Sequence, residues 1–322
     1  MKRREFVALI GGAAAWPLAA RAQERTPVIG ILLLGRAAVP RDLGVARELA
    51  KLGYIEGRNI TYAVRGANGE IARLPQLARE LLAEKATVIA GAGSPAAYAL
   101  GEATRDIPIV MMVMGDPLVL GLSDSISHPS RNVTGFTNSS LSLAAKRLGL
   151  LKDLLPAARK IGYLWASKSP ALATRAEQAR IAANRLDIDL VSLPLVSAAD
   201  VHSIFERVEK EQLTAILVES DSLITQFSAT IVDECLLRGL PAMHAWPFEV
   251  RTGALIAYGP AITENYQGSA RYIDLLLKGA RVSDLPFVEP TQIKLAINLQ
   301  TARSIGLTVP PTFLALADEV IE

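Results

Sequence analysis

The sequence predicts an α/β protein of two lobes, each built on a doubly wound parallel sheet. From residue 27 onward, apolar runs alternate with helical patterns and short turns that contain Gly or Pro. The apolar runs are continuous rather than alternating, which is typical of parallel strands covered by helices on both faces. The strand–helix rhythm restarts after about residue 137, which indicates a second set of similar size.

The first set contains four predicted strands with helices between them. The strands are VIGILLL at 28–34, NITYAVR at 59–65, ATVIAG at 86–91 and IPIVMMV at 107–113. Helices are expected over GVARELAKLGY, over IARLPQLARELLAEK and from near Pro95. This set predicts a first lobe over residues 23–136.

The second set follows a long helical pattern over LSLAAKRLGLLKDLL. Its predicted strands are KIGYLWA at 160–166, IDLVSLP at 188–194, TAILVES at 214–220 and PAMHAW at 241–246, and they predict a second lobe over 137–246. A strand at GALIAYG (253–259), a helix and a strand at IKLAINL come last. They are too few for a third domain, so we expect about 247–285 to complete the first lobe and about 286–322 the second.

The first 22 residues have the pattern of a twin-arginine export signal. The pair Arg3-Arg4 precedes Phe6, an uncharged stretch runs to Ala20, and small residues stand before a cut after Ala22. The apolar stretch is shorter than the roughly 20 residues that a membrane span needs. We therefore expect a cleaved signal and a periplasmic protein without stable membrane insertion; an uncleaved anchor is the alternative.

Composition excludes several functional classes. The chain has 34 basic and 32 acidic residues, and four of the basic ones fall in the predicted signal, so the remainder is close to neutral and does not resemble a nucleic-acid-binding protein. A single cysteine, Cys235, cannot form an internal disulfide. The three histidines show no metal-ligand spacing, so neither a metal nor another cofactor is expected.

Candidate binding residues follow the strands of the first set, because ligands of parallel sheets bind at the carboxyl ends of the strands. Ser94 directly precedes a proline and is predicted to be the N-cap of a helix, whose free N–H groups would hold a carboxylate. Capping alone is the alternative for Ser94, and turn formation is the alternative for Asp116. The candidates from this set are Gly35, Arg36, Gly93, Ser94, Pro95, Gly115 and Asp116.

The second set adds four candidates, Ser167, Asp221, Trp246 and Tyr258. Asp221 could hold an ammonium group or cap the following helix. Trp246 could form an aromatic wall of the site or pack between the lobes. Tyr258 could supply a hydroxyl to the same cleft.

Motifs for nucleotide binding and for hydrolysis are incomplete. The GAG segment at 91–93 does not extend to GxGxxG, because residue 96 is alanine, and no GxxxxGK[ST] occurs. The serine in GAGSP lacks the GxSxG elbow, and nothing assigns His244 to it. A non-enzymatic protein is therefore expected, with an exported α/β hydrolase as an alternative.

Many segments together resemble the substrate-binding proteins of ABC transporters, in the family that includes tryptophan- and tyrosine-binding members. The segments are VIGILLLG, LGYIEGRNI, ARLPQLARELLAEKATVIAGAG, IPIVMMVMGDPLVLGL, NVTGFT, LAAKRLGLLKDLLP and the ending from LPFVEPTQ to the C-terminus. The LGYxEGxN, GDPxxLGL, NxTG and GLTVPP patterns are the most specific, and the resemblance is weaker over 165–212. It covers essentially the whole chain after the signal.

The resemblance implies a type I periplasmic-binding-protein fold, with two hinged lobes and a small-molecule ligand in the cleft. It implies an amino acid or related carboxylate as ligand, and an ABC permease and ATPase as partners. The Ser94 loop would hold the carboxylate and Asp221 the amino group. The chain departs from the family at residues 33–36 and at 166–168, so ligand identity is not transferred. A periplasmic sensor of the same fold is the alternative function.

Overall fold

The computed structural model describes residues 26–138, 143–166, 170–197 and 199–322. The predicted export signal lies outside these residues, and so does the candidate Ser167.

The first lobe is built on a five-stranded parallel sheet in the order β2-β1-β3-β4-β5. Its strands are β1 (Val28–Leu33), β2 (Thr61–Gly66), β3 (Val88–Ala92), β4 (Ile109–Met114) and β5 (Val133–Thr137). Its helices are α1 (Gly44–Lys51), α2 (Leu74–Ala83) and α3 (Ser94–Ala103). Helices α2 and α3 bury apolar residues on one face of the sheet, and α1 packs on the other.

The second lobe is built on a seven-stranded sheet in the order β12-β11-β10-β9-β8-β6-β7. Its strands are β6 (Lys160–Ala166), β7 (Asp189–Leu195), β8 (Ala215–Val218), β9 (Ala242–His244), β10 (Ile256–Pro260), β11 (Ile293–Asn298) and β12 (Glu319–Ile321). Helices α4 (Leu143–Leu154) and α5 (Pro170–Arg185) cover one face. Helices α6 (Asp200–Lys210), α7 (Ser222–Gln226) and α8 (Ser228–Leu237) cover the other.

The remaining helices show how the chain passes between the lobes. Helix α9 (Ile262–Leu277) follows β10 of the second sheet but packs against α1 and β4 of the first lobe. The chain then returns to the second sheet through β11, and α10 (Leu299–Ser304) and α11 (Pro311–Leu314) follow. The chain therefore crosses from one lobe to the other after β5, after β10 and before β11, as expected for two lobes joined by a hinge.

The predicted fold class is confirmed: two α/β lobes, each with a parallel-sheet core. Two details differ from the expectation. Strand β10 lies in the second sheet, whereas we expected residues 247–285 to complete the first lobe. Strand β11 is antiparallel to β10, because the chain leaves for α9 and re-enters the second sheet in the opposite direction. One antiparallel strand pair in an otherwise parallel sheet is common.

Within the described ranges, no helix combines the length and the apolar character that crossing a bilayer requires.

Candidate ligand-binding site

A cavity of about 580 Å³ lies between the lobes, where the carboxyl ends of strands from both sheets meet. Its volume suits a small molecule. From the first lobe it is lined by Leu33–Arg36, Ala92–Ser94, Val113–Asp116, Val119, Leu120, Ile262 and Tyr266. The remaining lining residues are Asn138, Arg175, Ser220–Ser222, Thr225, Gln226, Trp246 and Phe248.

Most of the predicted site residues lie along this cavity. They are Gly35, Arg36, Gly93, Ser94, Gly115, Asp116, Asp221 and Trp246. Arg36 is exposed. Asp116 Oδ1 accepts a hydrogen bond from Leu118 N at 2.8 Å, so this carboxylate also forms the turn that was its alternative role.

The loop from Gly93 to Ser94 places the start of α3 at the cavity. We predicted Ser94 as the N-cap, but Gly93 takes that position, because its φ of 90° makes the turn and the helix begins one residue earlier. Ser94 Oγ instead accepts a hydrogen bond from Gly115 N at 3.0 Å, which ties the end of β3 to the end of β4. The first-turn N–H groups of α3 have no intrahelical acceptor.

The two lobes contact each other beside this loop. A β-carbon placed on Gly93 would lie only 2.0 Å from Ser222 Oγ in the second lobe. Likewise, a β-carbon on Gly69 of the first lobe would lie 2.5 Å from Gln226 Oε1. Both glycines have a positive φ, and in this arrangement of the lobes a β-carbon at either position would require the facing side chain to move.

Asp221 occupies the start of α7 on the second-lobe side. It is the N-cap of α7, and its Oδ1 accepts a hydrogen bond from Leu223 N at 2.7 Å. Burial raises the pKa of Asp221 above its usual range, although the Leu223 N–H and the nearby Arg175 act in the opposite direction. Asp221 thus both caps a helix and contributes a carboxylate to the cavity wall.

Arg175 on α5 is a lining residue that the sequence analysis missed. Only 6% of its surface is exposed. A β-carbon on Gly115 would lie 3.5 Å from Arg175 Nη2 and 3.1 Å from Ser94 Oγ, so the guanidinium lies beside the Ser94 loop of the other lobe. The pattern ATRAEQARIAANRL gave no signal, because a charged residue on such a helix is usually solvated.

Aromatic and apolar side chains form much of the remaining wall. Trp246 stacks on Phe248 with ring centroids 6.2 Å apart, and Trp246 itself is 6% exposed. The first lobe adds Tyr266, whose pKa is raised by burial. Three buried polar atoms of lining residues have no hydrogen-bond partner in the described part of the chain, namely Asn138 Oδ1, Gln226 Oε1 and Trp246 Nε1. The cavity thus combines an apolar body with several polar contact points.

A sequence model of the family described as ABC transporter substrate binding protein matches residues 35–321. The chain belongs to this family. The cleft geometry and the fold agree with that assignment.

Individual relatives add detail. This substrate-binding protein is 25% identical to the tyrosine-binding protein of Clostridioides difficile over 265 residues, which is 82% of this chain and 76% of the relative. A crystal structure of a conserved domain protein from Vibrio cholerae O1 biovar eltor aligns with a TM-score of 0.84 at 25% identity. An ABC domain in complex with L-Trp from Streptococcus pneumonia aligns with a TM-score of 0.82, also at 25% identity. Both alignments cover 92% of this chain and 100% of the other.

Behind the cavity, this substrate-binding protein contains a buried charged network that sequence reasoning also missed. Arg147 Nη1 lies 3.5 Å from Glu219 Oε1, and both side chains are fully buried. Tyr163 Oη donates to Glu219 Oε2 at 2.7 Å, and Ser220 N donates to Glu219 Oε1 at 2.7 Å. The network therefore fixes the segment that leads into Asp221. One sequence feature could have revealed this network: Arg147 is a charged residue on the otherwise apolar face of LAAKRLGLLKDLL.

The network also sets the ionisation of its members. Burial alone would raise the pKa of Glu219, but Arg147, Arg175 and the hydrogen bonds from Tyr163 and Ser220 hold it below its usual value. Burial lowers the pKa of Arg147, and Glu219 opposes that change. Glu219 is therefore ionised and paired, and it is not available to a ligand.

Two predicted site residues do not line the cavity. Tyr258 packs against the core of the second lobe, because β10 lies inside the second sheet, and its carbonyl accepts a hydrogen bond from Arg147 Nε at 2.7 Å. Pro95 lies in the first turn of α3 and does not reach the lining. Tyr258 thus belongs to the support behind the site, and Pro95 shapes the start of the helix.

The remaining reactive residues lie elsewhere. Cys235 is buried, and burial raises the pKa of its thiol. His244 is buried against Glu249, with Nδ1 3.2 Å from Oε2. Among the described residues, no group of three or more His, Cys, Asp or Glu side chains is arranged to hold a metal ion.

Proposed function

We propose that this chain is the extracytoplasmic binding component of an ABC importer for an amino acid or a related small carboxylate with an apolar or aromatic body. The observation that carries this proposal is the cavity between the lobes. It places the N-terminus of α3 and the charged Arg175 and Asp221 beside an aromatic wall that includes Trp246. A zwitterion with an apolar side chain matches each of these features.

The relatives support this ligand class. One is named as a tyrosine-binding protein, and one structural neighbour holds L-Trp. Ligands of this class are small enough for a cavity of about 580 Å³.

The proposed mechanism involves no covalent chemistry. The ligand binds between open lobes, and closure brings Gly93 of the first lobe against Ser222 of the second. Closure is a shift between two conformations, driven by the tighter binding of the ligand to the closed one. The closed form would then be recognised by an ABC permease that works with an ATPase.

The proposed location is the periplasm. The twin-arginine pattern around Arg3 and Arg4 and the small residues before Ala22 support export with cleavage near Ala22.

A thermal-shift screen of the purified protein tests the proposal. The panel contains L-tryptophan, L-tyrosine, other amino acids and aromatic acids, with L-arabinose and ribose as neutral comparisons. A ligand at 100 times its Kd stabilises the native state by about 2.7 kcal/mol, which raises the midpoint measurably. We expect a shift with at least one carboxylate. A shift with a sugar and with no carboxylate would contradict the proposed ligand class.

A further inference from the structure

Arg175 is a largely buried cation with no ion-pair partner among the described residues. Its residue surface is 6% exposed, and it lines the cavity. Within the described ranges, it donates no hydrogen bond, and no carboxylate oxygen lies within the 4.0 Å of an ion pair. The Arg147 guanidinium behind the cavity is more deeply buried, with no exposed surface, and has Glu219 and the Tyr258 carbonyl as partners.

The acidic groups near Arg175 are already engaged. Glu219 accepts hydrogen bonds from Tyr163 and Ser220 and pairs with Arg147. Asp221 accepts the capping hydrogen bond from Leu223 N. The charge of Arg175 acts to lower the pKa of both carboxyl groups, but neither forms an ion pair with it. Among the described residues, this guanidinium therefore has no anionic partner, and its charge faces the cavity.

The position of Arg175 indicates what that partner is. The guanidinium lies beside Gly115 and Ser94, which belong to the opposite lobe, and Ser94 begins the ten-residue helix α3. A helix N-terminus attracts anions through its free N–H groups and its dipole. An anionic group between α3 and Arg175 would thus satisfy donors from both lobes at once.

We propose that Arg175 and the N-terminus of α3 hold one ligand carboxylate between the two lobes, so that closure depends on an anionic group in the ligand. This inference rests on the proposed function and adds to it the group that anchors the carboxylate from the second lobe. Without ligand, closure leaves the charge of Arg175 unpaired in a cavity with less water around it, and is disfavoured. With a carboxylate, the same closure forms charge-assisted hydrogen bonds.

A carboxylate fits better than a phosphate. The planar guanidinium fork matches a carboxylate in a bidentate geometry. A phosphate carries more charge, and the only other cation on the cavity wall within the described residues is the exposed Arg36. Apolar lining residues such as Leu120 and Ile262 can contact an uncharged part of the ligand.

Binding calorimetry on matched variants tests the anchor. The probes are L-tryptophan, L-tyrosine and 3-phenylpropionate, each compared with its carboxamide. Wild type should prefer the acid by about 30-fold or more, Arg175→Gln should lose this preference, and Arg175→Lys should retain part of it. Arg180→Gln is the control: Arg180 lies on the same helix, is exposed, and pairs with Glu177. It should behave as wild type. Retention of the full acid preference in Arg175→Gln would overturn the inference.

Small-angle scattering gives a readout that needs no ligand. Ligand-free Arg175→Gln should have a smaller radius of gyration than ligand-free wild type, because closure no longer removes water from an unpaired charge. Arg180→Gln should match wild type. Equal radii for Arg175→Gln and wild type would contradict the proposed link between the charge and closure. A failure of the proposed function looks different: wild type would then bind a neutral solute and none of the acids.

Discussion

The two lobes are built alike but bury different kinds of polar side chain. In the described part of the first lobe, the buried polar residues of the sheet and its loops are uncharged: Thr104, Ser123, Asn132, Thr134 and Thr137. The second lobe buries Arg147, Arg175, Glu219, His244 and Glu249. The first lobe thus gives the cavity backbone groups, apolar walls, the exposed Arg36 and the half-buried Asp116, whereas the second lobe adds the largely buried Arg175 and the capping Asp221.

The partners of these residues explain the difference. In the first lobe, Asn132 Nδ2 donates to the carbonyls of Thr104 and Ile107, and Thr134 Oγ1 donates to the carbonyl of Leu285 at 2.6 Å. These hydrogen bonds are internal to the lobe, and neither Asn132 nor Thr134 lines the cavity. In the second lobe, Arg147 and Glu219 neutralise each other, whereas Arg175 has no ion-pair partner among the described residues and lines the cavity. We therefore expect the second lobe to supply the charged side chain that pairs with a ligand carboxylate beside the N-terminus of α3.

The largest effect is expected for Arg147→Met, which leaves Glu219 as an uncompensated buried charge. Removal of one partner of a buried ion pair costs about 3–5 kcal/mol. Urea denaturation, followed by fluorescence and circular dichroism, measures the loss. Adding Glu219→Gln should recover part of it.

The matched change in the first lobe is Thr134→Val, which removes one neutral hydrogen bond of Thr134 to the Leu285 carbonyl. We expect a loss of about 1 kcal/mol. If Thr134→Val destabilised the protein as much as Arg147→Met, the proposed difference between the lobes would be wrong.

The next largest effect is expected for Gly93→Ala, which places a β-carbon 2.0 Å from Ser222 Oγ. Ser222 has to move for the lobes to close against the added methyl group, so affinity for the carboxylate found in the screen should fall by about tenfold. Gly53→Ala is the control, because Gly53 has the same φ of 90° with nothing within 4 Å of an added β-carbon. Both variants place alanine at a positive φ and are strained to a similar degree, but only Gly93→Ala should show weaker binding by calorimetry. Equal affinities in the two variants would contradict closure at this contact.

A pH dependence is expected from Asp221. Since burial raises its pKa, Asp221 becomes protonated at a higher pH than an ordinary aspartate, and affinity for an amino acid should decrease as pH falls through that range. The raised pKa of Asp221 affects the free energy of unfolding in the opposite direction. Its stabilising contribution is fully present below the ordinary pKa of aspartate and is lost as pH rises through the raised pKa.

Calorimetry from pH 4 to pH 8 measures this dependence. Asp221→Asn should remove it, and 3-phenylpropionate, which has no amino group, should not show it. A pH profile for L-tryptophan that is unchanged in Asp221→Asn would exclude Asp221 as the ammonium partner.

The smallest effect is expected for Ser94→Ala. This change removes only the hydroxyl that accepts from Gly115 N, so the loss should be about 1 kcal/mol in stability. Affinity should change little, because the backbone N–H groups of α3 remain. Thermal denaturation and calorimetry check the two expectations; a complete loss of binding would show that the hydroxyl itself holds the ligand.

The sequence was sufficient for the architecture and for one part of the site. Continuous apolar runs located the sheets, and the rule that ligands bind at strand ends led to Ser94, Asp116 and Asp221, which all line the cavity. The antiparallel direction of β11 could not be predicted, because it depends on α9 packing in the other lobe. Arg175 was missed for a similar reason. A helix pattern shows that a residue is charged, but only tertiary packing brings that residue beside Gly115.

A crystal structure of the protein with the carboxylate of largest thermal shift would show whether Arg175 anchors the ligand. We expect closed lobes, with the ligand carboxylate within hydrogen-bond distance of both the Arg175 guanidinium and the first-turn N–H groups of α3. The apolar body should lie against Trp246. A closed complex in which Arg175 pairs with Asp221, while the ligand carboxylate points away from both, would rule out the proposed carboxylate anchor.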